Sequence, residues 1–308
     1  FNTISVIGLG YVGLPTAAIF ASKGIKVIGV DNNDVVVKVI NQGKVHIIEP
    51  DLDSLVSNAV KNNQLSAANK PKTADAFIIA VPTPFKDNQK PDLSFLIAAA
   101  KSLVGVLKKG DLIVVESTVP VGTTQYISEF LSDLCPNLIF PHQSKEADIN
   151  IAHSPERVLP GKILTELIKN DRVIGGISEI CGKKAKELYS LLNIKGKCLL
   201  TTAATAELVK LSENAFRDVN IAFANELSII CESLRINPWE AIKLANHHPR
   251  VNILQPGPGV GGHCIAIDPW FIVESAPETS DLIRTARKVN DAKPEYIAKK
   301  IIAKVSKE

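Results

Sequence analysis

One cysteine has the clearest chemical signature in the sequence. Cys264 ends the segment QPGPGVGGHC, in which glycine and proline predominate. Such a loop lets backbone amides approach a ligand and exposes the thiol, whose thiolate form attacks carbonyl carbons. A free cysteine is more often a small buried hydrophobe. We assign that role to the remaining cysteines, which are Cys135, Cys181, Cys198 and Cys231. The flanking glycines would make poor core material, so Cys264 is the candidate nucleophile.

Polar residues recur at helical spacing upstream of this loop. They are Glu207, Lys210, Asn214 and Arg217. Intervals of three, four and three place them on one face of a helix. A solvated face with local Glu–Lys pairs is the simpler explanation. If the face lines a cleft, Lys210 and Asn214 could polarise or protonate a substrate oxygen. Asp268, just after the cysteine, could orient a lysine or a water, or cap the loop.

A glycine motif near the start of the chain predicts a dinucleotide site. The motif GLGYVG consists of Gly8, Leu9, Gly10, Tyr11, Val12 and Gly13. It follows an apolar run and opens a helical pattern, so a helix N-terminus would face a pyrophosphate. Asp31 ends the next apolar run, where an acid binds the ribose hydroxyls. Because no arginine lies close to Asp31 in the sequence to bind a 2′-phosphate, the pattern favours NAD over NADP.

Two threonines follow further predicted strands. Thr83 lies in VPTP and Thr118 in ESTVP. Ligands of open α/β sheets bind at the carboxyl ends of the strands. Proline and threonine are also ordinary turn residues, so their position alone makes these two candidates.

The elements that must hold these residues alternate in the first part of the chain. Buried strands are predicted at 3–7, 26–30, 76–81 and 112–115, with further strands around 138–140, 173–174 and 197–200. Amphipathic stretches between them indicate a parallel, doubly wound sheet. Helical patterns then run from 203 to about 235, from Asn237-Pro238 onward, and from about 281 to the end. We therefore expect an α/β chain with an N-terminal Rossmann-like doubly wound sheet at 1–200 and a mostly helical central domain at 201–308.

Composition excludes several classes of protein. The 308 residues are 45% hydrophobic, with a formal net charge of +3. That balance argues against a disordered chain and against a nucleic-acid binder. No apolar run approaches the roughly 18–20 residues of a membrane span, and no signal-peptide pattern opens the chain. Five cysteines without a CxxC pair predict a reducing, cytoplasmic compartment. Adjacent His247 and His248 lack a suitably spaced third ligand, so we expect no metal.

Six segments resemble one enzyme family over essentially the whole chain. They are IGLGYVGLPTA, AVPTPF, ESTVPVGTT, SPERVLPG, KLSENAFRDVNIAFANE and NHHPRVNILQPGPGVGGHCIAIDPWF. These segments resemble the UDP-glucose/GDP-mannose dehydrogenase family. Within the family, PRVN before the cysteine loop and DPWF after it favour the branch that oxidises UDP-N-acetylmannosamine.

The resemblance implies a four-electron oxidation of a sugar C6 hydroxymethyl group to a carboxylate, with two NAD per sugar. Cys264 would hold the aldehyde as a thiohemiacetal and then carry a thioester that water hydrolyses. Lys210 would be the acid/base, assisted by Asn214, while Asp268 supports the lysine and the water. Thr118 and Glu156 resemble the residues that position this water. In bacteria the product would supply surface polysaccharide synthesis.

The resemblance also assigns binding residues. NAD would contact Gly8, Gly10, Tyr11, Val12, Gly13, Asp31, Thr83, Thr118 and Thr124. The UDP-sugar would contact Arg157, Val158, Lys210, Asn214, Arg217, His248, Arg250 and Gly261. A homodimer through the central helices is expected on the same grounds.

Two departures from the family pattern affect these expectations. Glucose-specific relatives carry a second glutamate where this chain has Pro160, so Glu156 is the only candidate carboxylate of that motif. The family also has a C-terminal α/β domain that supplies part of the UDP site. Because the sequence ends at Glu308, within what resembles the connecting helix, we expect that domain to be absent from it.

Three alternatives remain open at this point. The sugar could be UDP-N-acetylglucosamine or UDP-glucose. A two-electron hydroxyacid-type dehydrogenase would need Lys210 and Asn214 but not Cys264. A non-catalytic NAD-binding or oligomerisation module would show no turnover at all.

Overall fold

Eight short strands form one sheet in the computed structural model, which describes residues 1–85, 90–262 and 264–306. The strands are β1 (Thr3–Ile7), β2 (Lys26–Val30), β3 (Leu65–Ala68), β4 (Ala76–Ile79), β5 (Leu112–Val115), β6 (Asn150–His153), β7 (Arg172–Gly176) and β8 (Cys198–Thr202). Their order is β3-β2-β1-β4-β5-β6-β7-β8. Neighbours pair parallel except β6 and β7, which pair antiparallel. The strand order reverses direction between β1 and β4, which is where such sheets open a ligand crevice.

The sequence predicted the strands that are rich in β-branched residues. β1, β2, β4 and β5 are almost wholly buried, as expected for parallel strands covered on both faces, and β7 and β8 also lie where predicted. β3 (LSAA) and β6 (NIAH) lack that signature and were not predicted. The predicted strand around 138–140 is wrong. The amide of Ile139 donates to the Asp148 carboxylate, and that of Phe140 donates to the Gln143 side chain, so neither is available for a ladder.

Helices cover the sheet and continue beyond it. They are α1 (Gly13–Ser22), α2 (Asp34–Asn41), α3 (Leu52–Lys61), α4 (Ser94–Ser102), α5 (Thr123–Leu134), α6 (Ile163–Lys169), α7 (Glu179–Ser190), α8 (Ala203–Ser233), α9 (Pro238–Ala245), α10 (Asp268–Ser275) and α11 (Asp281–Val305). The predicted starts of α8, α9 and α11 are confirmed. The Asn237 side chain accepts from the amides of Trp239 and Glu240, as an N-cap does. No described helix is long and apolar enough to cross a membrane.

The chain divides into two compact units. The first comprises residues 1–84 and 91–210, and the second comprises residues 211–306 with Phe85 and Lys90. In the first unit, alternate strand residues feed two apolar clusters. One contains Ile4 and Ile78, and the other contains Ile7 and Ile79. The period-two alternation of a strand puts these neighbours in separate clusters, which is the layering of a doubly wound fold.

The second unit is helical, and α8 packs on α11 through buried polar groups. Arg287 on α11 donates to the Asp218 carboxylate at 2.5 Å, and the Asn290 amide donates to the same oxygen at 2.8 Å. Asn225 on α8 donates to Asn290 at 2.8 Å. These bonds satisfy polar groups that burial would otherwise leave unpaired.

Candidate active site

The glycine motif opens into a cavity at the reversal of strand order. The cavity has a volume of about 490 Å³ and is lined by Gly8, Gly10 and Asp31 among other residues. The Asp31 carboxylate accepts from the amide of Leu9 at 3.1 Å and from that of Asn33 at 2.9 Å. These two bonds fix the acid at the end of β2, where the sequence placed it.

The structure explains each glycine of the motif differently. A Cβ on Gly8 would lie 2.6 Å from the Ala80 carbonyl oxygen, and its φ is +91°. A Cβ on Gly13 would lie 1.8 Å from the Gly8 oxygen, so close backbone packing requires both glycines. Gly10 has no heavy atom within 4 Å of such a Cβ, which leaves its backbone open to a ligand. Tyr11 is exposed and Val12 half-buried beside it, just before α1.

The loops after β4 and β5 are joined by a hydrogen bond. The Thr83 hydroxyl donates to the Thr118 carbonyl oxygen at 2.6 Å. Ser117 reinforces this junction by donating to the Val81 carbonyl oxygen at 2.7 Å. The structure therefore brings together the two threonines selected for their positions at strand ends.

Glu207 connects the first turns of α8 to the start of α5. Its carboxylate accepts from the amides of Gly122 at 2.6 Å and Thr124 at 2.7 Å, and from the Thr124 hydroxyl at 2.5 Å. Burial raises the pKa of Glu207, although these bonds oppose the shift. A solvated face is thus wrong for Glu207. The hydroxyl of Thr124, predicted to contact cofactor, is occupied by this carboxylate.

Glu156 lies in a buried, charged environment in the loop after β6. It is 9% exposed, and its Oε1 accepts from the Arg157 amide at 2.6 Å. Arg172 approaches its Oε2 at 3.7 Å. Burial raises the pKa of Glu156 to about 7, and the nearby Glu116 charge also raises it, while Arg172 and Lys210 lower it. A carboxyl with such a pKa can take up or release a proton near neutral pH.

Cys264 is the only exposed cysteine of the five, all of which are described. Its carbonyl oxygen accepts from the amides of Ile267 at 3.1 Å and Asp268 at 2.9 Å, so the cysteine begins the turn that leads into α10. The buried Asp268 carboxylate accepts from the Asn214 side chain at 2.6 Å. By contrast, burial raises the pKa of Cys135 and Cys198.

Asparagines on α8 also hold the backbone that leads to Cys264. The Asn220 side chain donates to the Asn252 carbonyl oxygen at 3.0 Å and accepts from the Leu254 amide at 2.9 Å. The Asn225 side-chain oxygen Oδ1 accepts from the Gly257 amide at 2.9 Å. Together with Asn214, these residues position both ends of the glycine-rich loop.

Comparison with protein families supplies the deciding observation. A sequence model described as the UDP-glucose/GDP-mannose dehydrogenase family, NAD binding domain, matches residues 2–193, and the model of the central domain of that family matches residues 204–292. The chain belongs to the UDP-glucose/GDP-mannose dehydrogenase family. It thus carries the NAD-binding and central domains of this family of NAD-dependent enzymes.

The curated relatives are named for different sugars. The chain is 61% identical over 302 residues to an NDP-N-acetyl-D-galactosaminuronic acid dehydrogenase of Ralstonia nicotianae, covering 98% of this chain and 71% of the relative. It is 59% identical over 307 residues to a UDP-N-acetyl-D-mannosamine dehydrogenase of Yersinia pestis, covering 99% and 73%. Among solved structures, the UDP-D-ManNAc dehydrogenase of Pyrococcus horikoshii superposes with a TM-score of 0.92 at 43% identity, covering 99% of this chain and 72% of that one.

The remaining predicted substrate residues occupy different settings. Arg217, His248, Arg250 and Gly261 are exposed, and the Arg250 amide donates to His248 Nδ1 at 3.3 Å. Arg157 donates to the Asp171 carbonyl oxygen at 3.2 Å. Val158 packs against the apolar cluster that contains Ile4, so its side chain is partly buried in the core. Lys210 ends the first unit, while Asn214, Cys264 and Asp268 belong to the second. No three His, Cys, Asp or Glu side chains group as metal ligands in the described part of the chain.

Sequence reasoning missed several residues that support the site. They are Glu49, Glu116, Arg172, Tyr189, Asn220 and Asn225. Glu49 accepts from the amides of Gly161 and Ile163 at 2.7 Å each, and so caps α6 after the Glu156 loop. A detectable signal existed for Asn225, because it continues the buried face of α8 as a polar residue among apolar ones. Glu49 and Arg172 had no such local signal, since their partners are distant in sequence.

Proposed function

We propose that this protein oxidises UDP-N-acetyl-D-mannosamine at C6 to UDP-N-acetyl-D-mannosaminuronate, with Cys264 as the covalent nucleophile. One observation carries the proposal. Cys264 is exposed, and its carbonyl oxygen accepts from the Asp268 amide at 2.9 Å. The carboxylate of Asp268 accepts in turn from the Asn214 side chain at 2.6 Å. Relatives of that name share 58–59% identity with the chain. We also propose a cytoplasmic enzyme, since the sequence has five scattered cysteines and no CxxC pair.

The cavity at the glycine motif fits a dinucleotide. Gly10 leaves space for a phosphate at the start of α1, and Asp31 is held where ribose hydroxyls would bind. NAD bound there would supply the acceptor for a hydride from the sugar carbon. Thr83 and Thr118 would complete the side of the site next to β4 and β5.

Cys264 would act after the alcohol has become an aldehyde, which removes two electrons. The thiolate adds to the aldehyde carbon, and the oxygen takes a proton, giving a thiohemiacetal. Loss of a second hydride, which a second NAD would accept, together with loss of the hydroxyl proton, would leave a thioester on Cys264. Water then adds to the thioester carbonyl, and the C–S bond breaks to release a carboxylate and the thiol. The whole reaction thus transfers four electrons and consumes one water.

Lys210 and Asn214 would stabilise the negative charge that develops on the substrate oxygen. They lie four residues apart on α8, and such residues share a face of a helix. Lys210 would exchange the proton of the hydroxyl and, with the Asn214 amide, stabilise the oxyanion. Asp268 would orient Asn214 and the lysine. Thr118 and Glu156 would position the hydrolytic water, with the Glu156 carboxylate as its proton acceptor.

The sugar and nucleotide would be held by eight residues that the family resemblance selects. They are Arg157, Val158, Lys210, Asn214, Arg217, His248, Arg250 and Gly261. The exposed side chains of Arg217, His248 and Arg250 are suited to a diphosphate and to hydroxyl groups.

A second sugar has specific support. The relative that is 61% identical is named for N-acetyl-D-galactosaminuronic acid, another 2-acetamido sugar acid. Both sugars carry an acetamido group, and the acid in the first name corresponds to the product proposed here for the mannosamine. The two candidates differ in the configuration of the ring, which substrate competition can separate.

The proposed function predicts two NADH per sugar with Cys264 intact. We expect the full chain to oxidise UDP-N-acetylmannosamine faster than the N-acetylgalactosamine, N-acetylglucosamine and glucose analogues in an absorbance assay. Cys264→Ala should abolish carboxylate formation, whereas Cys198→Ala, at a half-buried cysteine, should retain it. An acyl-enzyme mass on Cys264 after rapid quenching would support the thioester.

Other outcomes would redirect the proposal. One NADH per sugar would indicate a two-electron dehydrogenase. Preference for the galacto sugar would transfer the assignment to the second candidate. NAD binding without turnover on any of these sugars would indicate a non-catalytic module.

We also propose a homodimer through α8. Phe216, Phe223 and Ile230 recur every seven residues and are 69%, 56% and 44% exposed. A heptad stripe of large apolar residues on a 31-residue helix is suited to packing against a second copy.

A further inference from the structure

Three residues beneath the Glu156 loop form a buried cluster that the proposed mechanism has not used. Glu116, Arg172 and Tyr189 come from the end of β5, the start of β7 and the end of α7, and each is at most 6% exposed. The Tyr189 hydroxyl donates to Glu116 Oε1 at 2.7 Å, and Arg172 Nη1 donates to the same oxygen at 3.3 Å. The Arg172 guanidinium also lies 4.2 Å from the centroid of the Tyr189 ring.

Together with Glu156, the cluster contains two carboxyl groups and one guanidinium. Arg172 Nη1 is 3.3 Å from Glu116, and its Nη2 is 3.7 Å from Glu156, so two buried carboxyls share one guanidinium. A buried pair of carboxylates with one counter-ion favours protonation of one of them. We therefore expect one of these two carboxyls to remain protonated.

Hydrogen bonding decides which carboxyl keeps the proton. Glu116 accepts from Tyr189, Arg172 and the Thr16 hydroxyl, the last at 3.3 Å, and three donors favour an ionised carboxylate. Glu156 Oε2 has no hydrogen-bond partner among the described residues. Burial raises the pKa of both carboxyls, but Glu156 has the less satisfied oxygen, so the proton is assigned to Glu156.

We propose that the Glu116–Arg172–Tyr189 cluster is a positioning device for Glu156, setting the charge and orientation of its carboxyl for proton exchange with the hydrolytic water. This inference rests on the proposed role of Glu156 in thioester hydrolysis. Arg172, on β7, attracts the Glu156 carboxylate. Glu116 competes for the same guanidinium and so weakens that attraction. Neither Glu116 nor Tyr189 needs to touch the substrate in this arrangement.

The surroundings of Glu156 are consistent with water access. Charged and titratable groups around it come from several elements, namely Glu116, Arg172, Tyr189, Lys210, Glu166 and Asp171. Glu156, Arg172, Glu166 and Asp171 border a cavity of about 10 Å³, room for a single water. Glu166 is bound by the Leu159 amide at 2.8 Å and Asp171 by the Lys197 amide at 2.7 Å, so each already has a local partner.

Two substitutions should move the pH profile in opposite directions. The measurement is the rate of acyl-enzyme hydrolysis in single turnovers of the full chain, which should rise with pH as Glu156 loses its proton. Glu116→Gln leaves the whole Arg172 charge to Glu156, so the midpoint should fall by about one to three pH units. Arg172→Gln removes the counter-ion, so the midpoint should rise. Tyr189→Phe weakens the hold on Glu116 and should lower the midpoint by a smaller amount.

A second readout does not depend on turnover. The infrared band of a protonated buried carboxyl, identified by its loss in Glu156→Gln, should titrate with the same shifted midpoints. Circular dichroism verifies folding, and Tyr189→Phe provides the mildest change if Arg172→Gln does not fold. Glu187→Gln, at an exposed residue of α7, is the matched control and should leave the midpoint unchanged.

The outcomes separate this inference from the proposed function. Opposite shifts for Glu116→Gln and Arg172→Gln support it. If Glu156→Gln abolishes the pH dependence while the cluster variants keep the wild-type midpoint or shift it in one direction, the inference is overturned and the function stands. If Glu156→Gln hydrolyses the thioester with an unchanged profile, the role of Glu156 is wrong and the inference fails with it.

Discussion

Glu156 and His153 lie three residues apart on one segment, and burial moves their proton affinities in opposite directions. Burial raises the pKa of Glu156 to about 7 and lowers the pKa of His153 to about 3. Both changes favour the neutral form, because a charge loses its hydration in the interior. Neither ring nitrogen of His153 has a hydrogen-bond partner among the described residues. This segment therefore carries less charge near neutral pH than its residue types suggest.

The free energy of unfolding should show the raised pKa of Glu156. The ordinary value of 4.5 applies to the unfolded chain, and the folded value is about 7. Because the folded form binds the proton more tightly, the stabilisation is complete below pH 4.5 and is lost as pH rises through 7. We expect the stability of the wild type relative to Glu156→Gln to fall by at most about 3 kcal/mol over that window in urea titrations.

Subtracting the free energy of unfolding of Glu156→Gln from that of the wild type removes the contribution of His153, because His153 titrates in both proteins. Glu226→Gln changes an exposed residue of α8 and should show no such pH-dependent difference. A constant difference between wild type and Glu156→Gln from pH 4.5 to 8 would contradict the prediction.

At the scale of elements, α8 organises the site with side-chain amides. Asn214 binds Asp268, Asn220 binds the backbone at 252 and 254, and Asn225 binds the Gly257 amide. A helix offers such groups at fixed spacings, whereas a glycine-rich loop has little conformational preference of its own. The loop before Cys264 therefore takes its shape from α8.

Removing one of these amides should loosen the second unit. Asn225→Ala leaves the Gly257 amide and the Asn290 side-chain oxygen without their partner, and we expect a loss of about 1–3 kcal/mol in the free energy of unfolding. Both tryptophans, Trp239 and Trp270, lie in this unit, so their fluorescence during denaturation reports it directly. Ser212→Ala, at an exposed position of α8, should leave the transition in place. Equal stability of the two variants would show that Asn225 does not hold the loop.

At the scale of the whole molecule, α8 has two dissimilar faces. Its buried face contains Leu211, Asp218 and Asn225, while Phe216 and Phe223 are exposed on another. Large aromatic groups left in water are unusual when they recur at heptad spacing. The proposed homodimer accounts for this second face.

A charge within the stripe should prevent assembly. We expect Phe223→Glu to sediment as a monomer under conditions in which the wild type sediments as a dimer, because a carboxylate would be buried unpaired at the interface. Ile48→Glu alters a residue that is 92% exposed in the first unit and should leave the dimer intact. A wild-type chain that is monomeric at all concentrations would refute the proposed dimer.

Local patterns in the sequence determined the elements and the family. The β-branched runs predicted β1, β2, β4 and β5, because strands buried on both faces must be apolar along their whole length. The glycine motif and the Cys264 loop predicted chemistry in the same way, since backbone approach and thiol exposure depend on adjacent residues. These signals are local and can be read without a fold.

Only the tertiary structure decided what lies around these residues. It paired β6 antiparallel with β7, placed Glu207 on the start of α5, and put Glu116 and Arg172 beside one another although they are 56 positions apart in the chain. Desolvation and shared counter-ions depend on such distant neighbours, so no local pattern reports them. Sequence alone therefore predicted Glu156 by resemblance, while folding decided its charge.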